Sequence, residues 1–160
     1  MEHAICVARN CNLIDKIVVY TADEDVKKTV QKYPTVVIEN EPEHLCKPDT
    51  PISDVIKDVE KKHYYDILVW LQPTSPIRDS TDIDKCIKIL LYDDSIDSVV
   101  TIRRHLKYLF YPNGNIYVAR RGKEFYNDNM ACLVINEQKS VDVDTLFNFN
   151  VAKMILEGEN

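Results

Sequence analysis

The apolar residues of this chain fall into short, nearly continuous runs that alternate with amphipathic stretches. Four runs have the length and apolar character of buried strands, and they lie at residues 16–21, 35–39, 66–71 and 97–102. The stretches between them repeat apolar residues at helical spacing, as in Val26 and Val30, or in Ile52, Val55, Ile56 and Val59. Because such alternation is typical of parallel sheets covered by helices, the pattern predicts an α/β fold with a mostly parallel sheet and helices on both faces.

The helix predicted after the third strand has a well-defined apolar face. Four residues at helical spacing form this face: Ile83, Cys86, Ile87 and Leu90. Ser80 precedes them and belongs to the residue types that commonly cap a helix N-terminus. The sequence therefore predicts a helix that is capped by Ser80 and packs on the sheet.

The last third of the chain has a different rhythm. Residues 113–120 predict a strand that is entered through an Asn-Gly turn, and residues 131–135 predict another. A final helix is predicted with Thr145 as its cap and Gly158 at its end. Its apolar face is expected to consist of Leu146, Phe149, Ala152 and Leu156.

Length and charge restrict the classes of function. A chain of 160 residues that is 45% apolar can bury one core, so residues 1–160 are predicted to form a single domain. The first ten residues lack a long apolar core, and no stretch approaches the roughly 18 apolar residues of a membrane span, which predicts a cytoplasmic protein with no membrane partner. The net charge of −6 argues against a nucleic-acid surface but leaves room for a nucleotide or another small ligand.

The cysteine and histidine patterns give no support for a structural metal. The five cysteines are an odd number without a CxxC pair, so reduced and mostly buried thiols are expected. The four histidines share no helix at metal-ligand spacing.

The segment "QPTSP", residues 72–76, is the first candidate for chemistry. It directly follows the third predicted strand, and ligands of open parallel sheets bind beyond the carboxyl ends of the strands. Gln72 offers an amide with donors and acceptors, Thr74 and Ser75 add hydroxyls, and the two prolines stiffen the turn. The alternative is a rigid connection between a strand and a helix that binds nothing.

The segment "VDVD", residues 141–144, is the second candidate. If it is a strand, Asp142 and Asp144 point to one face while the valines pack inward. Two adjacent carboxylates would suit Mg²⁺ that also holds substrate phosphates. The alternative is a solvated acidic face that leads into a helix N-terminus, where acids are favoured.

One kind of phosphate site is missing from most of the chain. Loops that cradle a polyphosphate with backbone amides are rich in glycine, because glycine allows positive φ angles and close approach of the backbone. This chain has no glycine before Gly114. A glycine-rich phosphate loop is therefore excluded from its first two thirds.

Several stretches in order along the chain resemble one enzyme family. They are "DKIVVYTADEDV", "PDTPISDVI", "LQPTSPIRDSTDID", "SVVT", "YPNGNIYV" and "SVDVDTLFNFNVAKMIL". Together they resemble the N-acylneuraminate cytidylyltransferases, also called CMP-sialic acid synthetases. The resemblance implies a Rossmann-like nucleotidyltransferase fold and a reaction in which CTP and a sialic acid form CMP-sialic acid and pyrophosphate with Mg²⁺.

The resemblance also implies roles for individual residues. Gln72 would be catalytic and would bind both substrates, with Pro73 and Ser53 beside the nucleotide. Asn113, Tyr117 and Lys107 would face the sugar acid. Asp142 and Asp144 match the metal carboxylates of the family, which help the sugar hydroxyl to attack the α-phosphate.

Two departures from the family leave the activity open. The family begins with a strand and a phosphate loop that supplies cations, and Met1 corresponds to the helix behind that loop, so a version truncated at the N-terminus is expected. The family's central dimerisation arm is also missing before "YPNGNIY". The sequence therefore leaves a reduced enzyme beside a catalytically impaired remnant or a non-catalytic partner subunit, as a homo- or hetero-oligomer whose sugar acid is not fixed.

Overall fold

The computed structural model describes residues 1–106 and 109–158, in which helices and strands alternate along the first two thirds of the chain and three consecutive strands precede the last α-helix. In chain order these elements are α1 (Glu2–Arg9), β1 (Ile17–Tyr20), α2 (Glu24–Val30), β2 (Val36–Glu39), α3 (Ile52–Lys62), β3 (Ile67–Trp70), α4 (Ser80–Tyr92), β4 (Ser98–Leu106), β5 (Leu109–Arg120), β6 (Met130–Val134) and α5 (Leu146–Gly158). Two short 3-10 helices lie at Glu43–Leu45 and Glu137–Ser140. The predicted α/β class is confirmed. The first three predicted strands are found within one residue of their expected bounds, and the fourth starts one residue later and ends four residues later than expected.

The strands form two sheets with mixed directions. In the smaller sheet β1 runs parallel to β2, with Ile17 opposite Val36. The larger sheet has the order β3-β5-β4-β6, in which β5 is antiparallel to both β3 and β4 while β6 is parallel to β4. Among the described strands, two pairs are therefore parallel and two antiparallel. Strands β4 and β5 are separated by only two positions in sequence, which is compatible with an antiparallel pair and too short for a parallel crossover.

Helices cover both faces of the larger sheet, as predicted. Along β4 the side chains alternate, so Val99 packs in a cluster with α4 whereas Val100 packs in the cluster that α3 joins through Ile52 and Ile56. The predicted apolar face of α4 is confirmed, since its four residues are 0–4% exposed: Ile83, Cys86, Ile87 and Leu90. This packing holds the carboxyl end of β3 and the start of α4 in place.

The smaller sheet has its own apolar cluster between α1 and α2. Four buried residues form it: Ile5, Val19, Val30 and Val36. Asp23 is the N-cap of α2, and its carboxylate accepts hydrogen bonds from the backbone N–H groups of Asp25 and Val26. Both hydrogen bonds satisfy donors that the helix itself leaves free.

Two local expectations, the Ser80 cap and the Asn-Gly turn, differ from the structure. The residue before α4 is Asp79 rather than Ser80, and no side chain caps this helix, because the Asp79 carboxylate pairs with Lys139 instead. The Asn-Gly pair lies inside β5, where Gly114 has φ +72° beside a register shift between Val100 and Ile102. It therefore acts as an irregularity within the strand and does not form a turn before it.

The expected strand at residues 141–144 is wrong. Residues 141–143 have no regular structure and residues 144–145 form a bend. The segment contacts the turn after β3 through its backbone, where the N–H of Val143 donates to the carbonyl of Thr74 at 2.8 Å. The alternation of valine and aspartate thus occurs in an irregular segment that packs beside the sheet, and it does not indicate a strand here.

The last helix begins as predicted, and its apolar face is less buried than expected. Thr145 accepts a hydrogen bond from the N–H of Asn148 at 3.2 Å, which confirms it as the cap. Ala152 is buried, whereas Leu146 and Phe149 are 75% and 51% exposed. Within the described residues, no helix combines the length and the apolar character needed to cross a bilayer.

All five cysteines are free, as expected, although most of them are not buried. Cys11 and Cys86 are buried, while Cys6, Cys46 and Cys132 are exposed. Burial raises the pKa of Cys11 to about 11 and that of Cys86 to about 12, so both thiols are protonated at neutral pH.

Candidate active site

The turn after β3 is a compact and well-supported structure. The N–H of Ser75 donates to the carbonyl of Gln72 at 3.2 Å, which closes the turn, and Ser75 is completely buried. Pro73 and Pro76 fix the backbone on either side of this hydrogen bond. Gln72 is therefore presented at the carboxyl end of a strand by a rigid segment, as the sequence predicted.

A buried arginine that sequence reasoning missed lies behind the turn. Arg78 is 5% exposed, its Nε donates to the carbonyl of Ser75 at 2.9 Å, and one terminal nitrogen contacts the carbonyls of both Gln72 and Ser75. Burial lowers the pKa of Arg78 to about 10, and the charge of Asp142 opposes this shift. The guanidinium group is still charged at neutral pH. The available signal was an arginine two residues after the second proline of the turn, within the stretch that resembles the family.

Three oxygen atoms from distant parts of the chain converge beside Gly114. A Cβ atom placed on this glycine would lie 3.0 Å from Oε1 of Gln72, 3.3 Å from Oγ of Ser75 and 3.5 Å from Oδ2 of Asp142. Ser75 also donates a hydrogen bond from its hydroxyl to Oδ1 of Asp142 at 3.3 Å. Of the three residues that the resemblance assigns to catalysis or metal binding, Gln72 and Asp142 thus lie beside one point of the structure. Only glycine provides both the space and the positive φ angle at this point.

The second predicted carboxylate is not part of this arrangement. Asp144 is exposed and lies in the bend that precedes α5. The expectation that it shares a face with Asp142 loses its basis, because residues 141–144 do not form a strand. Its proposed role as a metal ligand stays a prediction.

The two residues predicted to face a sugar have different environments. Tyr117 is half-buried, its ring packs against Phe125 with centroids 5.3 Å apart, and burial raises its pKa with a further contribution from the Asp142 charge. Asn113 is buried, and its side chain is engaged by Thr101 at 2.8 Å and by Ser140 at 3.1 Å. Tyr117 therefore lies near the convergent oxygens, whereas Asn113 helps to hold the backbone that carries Gly114.

The remaining predicted residues lie around this centre or outside the described part of the chain. Pro73 and Thr74 line a groove of about 630 Å³ that α5 closes on its other side through Phe149 and Ala152. Ser53 is half-buried in the first turn of α3, next to Ile52, which packs in the cluster containing Trp70 and Tyr117. Lys107 lies outside the described residues.

A second polar network anchors the segment that leads to Asp142. Asn115 is completely buried and donates from its side-chain amide to the carbonyl of Ile77 at 2.8 Å and to that of Lys139. Lys139 in turn forms ion pairs with Asp79 and Asp82 at the start of α4. These contacts join residues 137–140 to the same loop that carries Gln72 and Ser75.

The donor atoms at this centre are of the type that Mg²⁺ prefers. A carboxylate, a hydroxyl and an amide oxygen are all hard ligands, and Mg²⁺ is usually bound by one or two carboxylates together with substrate phosphates. Within residues 1–106 and 109–158, no three His, Cys, Asp or Glu side chains come together as a metal site. The residues present thus fit a metal that arrives with a phosphorylated substrate better than one held by protein ligands alone.

Comparison with known proteins links this arrangement to one family. Residues 1–152 match the family described as "Cytidylyltransferase". The N-acylneuraminate cytidylyltransferase of Escherichia coli O18:K1:H7 is 23% identical over 195 residues, an alignment that covers all of this chain and 46% of that protein. Post-translational flagellin modification protein B of Campylobacter coli is 22% identical over 199 residues, covering all of this chain and 85% of that protein. The chain thus spans about half the length of the first relative.

Solved structures show the same fold. A CMP:2-keto-3-deoxy-manno-octonic acid synthetase, determined in complex with CTP, superposes with a TM-score of 0.69 at 15% identity and covers 98% of this chain and 87% of that one. The 4-diphosphocytidyl-2C-methyl-D-erythritol synthase of Anaerococcus prevotii superposes with a TM-score of 0.73 at 11% identity, covering 98% and 85%.

Proposed function

We propose that this chain, which belongs to the cytidylyltransferase family, transfers CMP from CTP to a sugar acid of the sialic acid class and releases pyrophosphate. The observation that carries the proposal is the convergence of Gln72, Ser75 and Asp142 beside Gly114. The names of the relatives support a sugar acid as the acceptor, since one is an N-acylneuraminate cytidylyltransferase and a structural neighbour is an octonic acid synthetase.

The reaction exchanges one phosphorus–oxygen bond for another. A hydroxyl oxygen of the sugar acid attacks the α-phosphorus of CTP, the bond from that phosphorus to the bridging oxygen of the β-phosphate breaks, and pyrophosphate leaves. The proton of the attacking hydroxyl must be accepted by a base. Asp142 is the carboxylate at the convergent centre. We assign it one of two roles, the base that accepts this proton or a ligand of the metal, since both need a negative charge beside the reacting oxygen.

The other residues of the centre orient the substrates. The Gln72 amide can donate to one substrate while it accepts from the other, which suits the junction between nucleotide and sugar. Tyr117 adds a hydroxyl that hydrogen-bonds with the backbone of Gly114 and whose pKa is raised in part by the charge of Asp142. Mg²⁺, when bound with CTP, would neutralise phosphate charge, and Asp142 with Ser75 and Gln72 would hold it, with Asp144 as a further carboxylate nearby in the chain.

A second candidate is a subunit that binds a sugar acid or another synthetase without catalysis. The observation that favours it is the absence of glycine from the first 113 residues, because backbone cradles for polyphosphates depend on glycine. Losing preorganised donors at phosphates lowers rates by roughly 10²–10³ for each donor. This candidate predicts weak CTP affinity together with binding of the sugar acid or of a partner chain.

The two candidates are separated by turnover and binding measurements on the same preparation. Pyrophosphate release is measured with CTP, Mg²⁺ and either N-acetylneuraminic acid or a ketodeoxyoctonic acid, for the wild-type chain and for Asp142→Asn. Turnover that depends on Asp142 supports the transferase. Turnover no higher than that of the variant, together with no Mg²⁺-dependent CTP binding in calorimetry, would exclude it.

The role of the second carboxylate needs its own variant. Asp144→Asn keeps the size of the side chain and removes its charge. A loss comparable to that of Asp142→Asn would support a shared metal site formed when substrate binds. Unchanged activity and unchanged dependence on Mg²⁺ concentration would restrict the site to Asp142.

A further inference from the structure

Arg78 is a buried cation whose hydrogen bonds have an unusual set of partners. Within the described residues, the hydrogen bonds of its guanidinium group all go to the backbone carbonyls of Gln72 and Ser75. Its Nη1 atom is buried and has no hydrogen-bond partner in the described part of the chain. The negative charge of Asp142 acts on the guanidinium group and favours its charged form.

Burying a guanidinium group in this way is unfavourable unless its hydrogen bonds fix a part of the structure that is needed for function. Desolvation of a charge is costly, and replacing buried charged groups by apolar ones often stabilises a protein. A turn that only needed to connect β3 with α4 could be closed by its prolines and by the hydrogen bond between Ser75 and Gln72 alone. The arginine therefore points to a requirement for accuracy at this turn.

The geometry shows which atoms that accuracy concerns. Arg78 holds the carbonyl of Gln72, whose side-chain Oε1 lies beside Gly114, and the carbonyl of Ser75, whose hydroxyl donates to Asp142. Each end of the turn thus has its backbone fixed on the arginine side and its side chain directed to the convergent centre. A small rotation of the turn would move both oxygens together relative to Asp142.

We propose that Arg78 is a positioning residue of this site, whose guanidinium group fixes the two ends of the 72–75 turn so that the Gln72 amide and the Ser75 hydroxyl meet Asp142. The proposal rests on the proposed function, because accuracy at the turn matters for the transfer reaction. Arginine suits the role better than lysine, since its planar fork can donate to two carbonyls at once whereas an ammonium group is a single point charge.

Arg120, which ends strand β5 of the larger sheet, provides a matched control. It lies six positions after Gly114; its Nε donates to the carbonyl of Ile96 at 3.0 Å, and a terminal nitrogen contacts the carbonyls of Leu90 and Asp93 and the exposed carboxylate of Asp94. It therefore fastens backbone in the same chemical manner, far from the convergent oxygens along the strand. Arg78→Lys and Arg120→Lys remove the same kind of contact, and only the first affects the turn.

The first measurement does not depend on catalysis. Amide hydrogen exchange at Ser75 reports the hydrogen bond that closes the turn. We expect this exchange to be faster in Arg78→Lys but not in Arg120→Lys, after the rates of both variants are corrected for any change in global stability. The intrinsic fluorescence of Trp70, which is the single tryptophan and lies two residues before Gln72, gives a second local signal. Unchanged exchange at Ser75 would overturn the proposal whether or not the chain is an active transferase.

The second measurement separates positioning from stability. With CTP, Mg²⁺ and sugar acid we expect kcat of Arg78→Lys to fall by about 10²-fold, the loss that a misplacement of about 1 Å can cause, while KM changes little. Arg120→Lys is expected to keep kcat when corrected for the folded fraction. An equal loss of kcat in both variants would reduce Arg78 to an ordinary stabilising residue. Inactivity of the wild-type chain would instead reject the proposed function and leave the exchange result to decide the role of Arg78 in the turn.

Discussion

The two sheets of this molecule are built by different means. The small sheet of β1 and β2 is held by four buried apolar side chains and by polar contacts at the surface, such as Tyr33 with Glu2. Apart from Thr21, the buried polar residues in the described part of the chain belong to the four-stranded sheet and its adjoining segments: Ser75, Arg78, Asp82, Asp84, Ser98, Thr101, Asn113 and Asn115. Buried polar networks are costly unless they are satisfied, and they specify one arrangement of side chains.

This difference shows which part of the molecule holds its side chains in precise positions. The small sheet needs only apolar coverage, and an exchange of one aliphatic residue for another would be tolerated there. The four-stranded sheet has to bring Gln72, Ser75 and Asp142 to one point, although they lie up to 70 positions apart in sequence. Changes near that point are therefore expected to affect activity more than stability, and changes in the small sheet the reverse.

The strongest test is a methyl group at Gly114. Gly114→Ala would place a Cβ atom 3.0 Å from Oε1 of Gln72 in a backbone conformation with φ +72°. We expect activity to fall by at least about 10²-fold, because the convergent side chains must separate. Gly122→Ala is the matched control, since Gly122 has φ +74° and no atom within 4 Å of the added Cβ.

Both alanine variants are expected to lose about 1–2 kcal/mol of stability from the positive φ angle. Thermal unfolding checks that this loss is shared, and the transferase assay measures the difference. Equal activity of Gly114→Ala and Gly122→Ala at equal folded fraction would show that the close approach beside Gly114 has no functional meaning.

The next test compares the two cores with the same substitution. Val118 in β5 and Val30 in α2 are both completely buried. Val118→Ala is expected to cost about 2–3 kcal/mol, because the central strand β5 is packed between β3 and β4 and cannot collapse around the cavity. Val30→Ala is expected to cost less, since Val30 ends a helix of seven residues in a smaller cluster. Denaturant unfolding measures both, and a larger loss for Val30→Ala would reverse the comparison.

The same contrast explains how far the sequence could predict the structure. Apolar runs determine the strands, and the spacing of Ile83, Cys86 and Leu90 determines the buried face of α4, because burial of apolar surface dominates both. The site was predicted only in part. The resemblance assigned Gln72, Asp142 and Asp144 to one site, and the structure places Gln72 and Asp142 beside Gly114. The valines at 141 and 143 alternate with the aspartates without pairing in a sheet.

The elements that could not be predicted depend on tertiary contacts. An arginine in a polar loop is normally exposed, so the burial of Arg78 follows only from the position of the carbonyls around it. The φ angle of Gly114 likewise depends on the register shift between β4 and β5. Local propensity contains neither piece of information.

A smaller effect is expected at the ion pairs that fasten residues 137–140 to α4. Asp82 is buried, which by itself raises its pKa, but hydrogen bonds from Lys139 and Lys85 outweigh burial and leave the pKa of Asp82 below its usual value. A lowered carboxylate pKa gives stability that is present above the unfolded-state pKa near 4 and is lost as the pH falls through the folded-state value. The raised pKa of Lys139 adds stability that is lost only as the pH rises above about 10.

Asp82→Asn should therefore lower stability by about 1.5–2 kcal/mol between pH 5 and pH 9, and by less below about pH 4. Denaturant midpoints measured across this range test the prediction. Asp79→Asn is the control, because Asp79 also pairs with Lys139 but its side chain is 57% exposed, and a smaller loss is expected. A difference between wild type and Asp82→Asn that stays constant down to pH 2 would refute the assignment.

The smallest effect is expected at the polar surface of the small sheet. The hydroxyl of Tyr20 donates to Asp58, and Lys62 donates to the same hydroxyl at 3.2 Å. Tyr20→Phe removes both hydrogen bonds but keeps the ring on which Lys62 lies, 4.9 Å from its centroid. We expect the melting temperature to change by less than about 4 °C and kcat to remain unchanged, because solvent screens this network and it has no contact with Gln72 or Asp142 among the described residues. A fall in kcat of tenfold or more without a matching loss of stability would mean that the small sheet takes part in the chemistry. The distinction drawn between the two sheets would then be wrong.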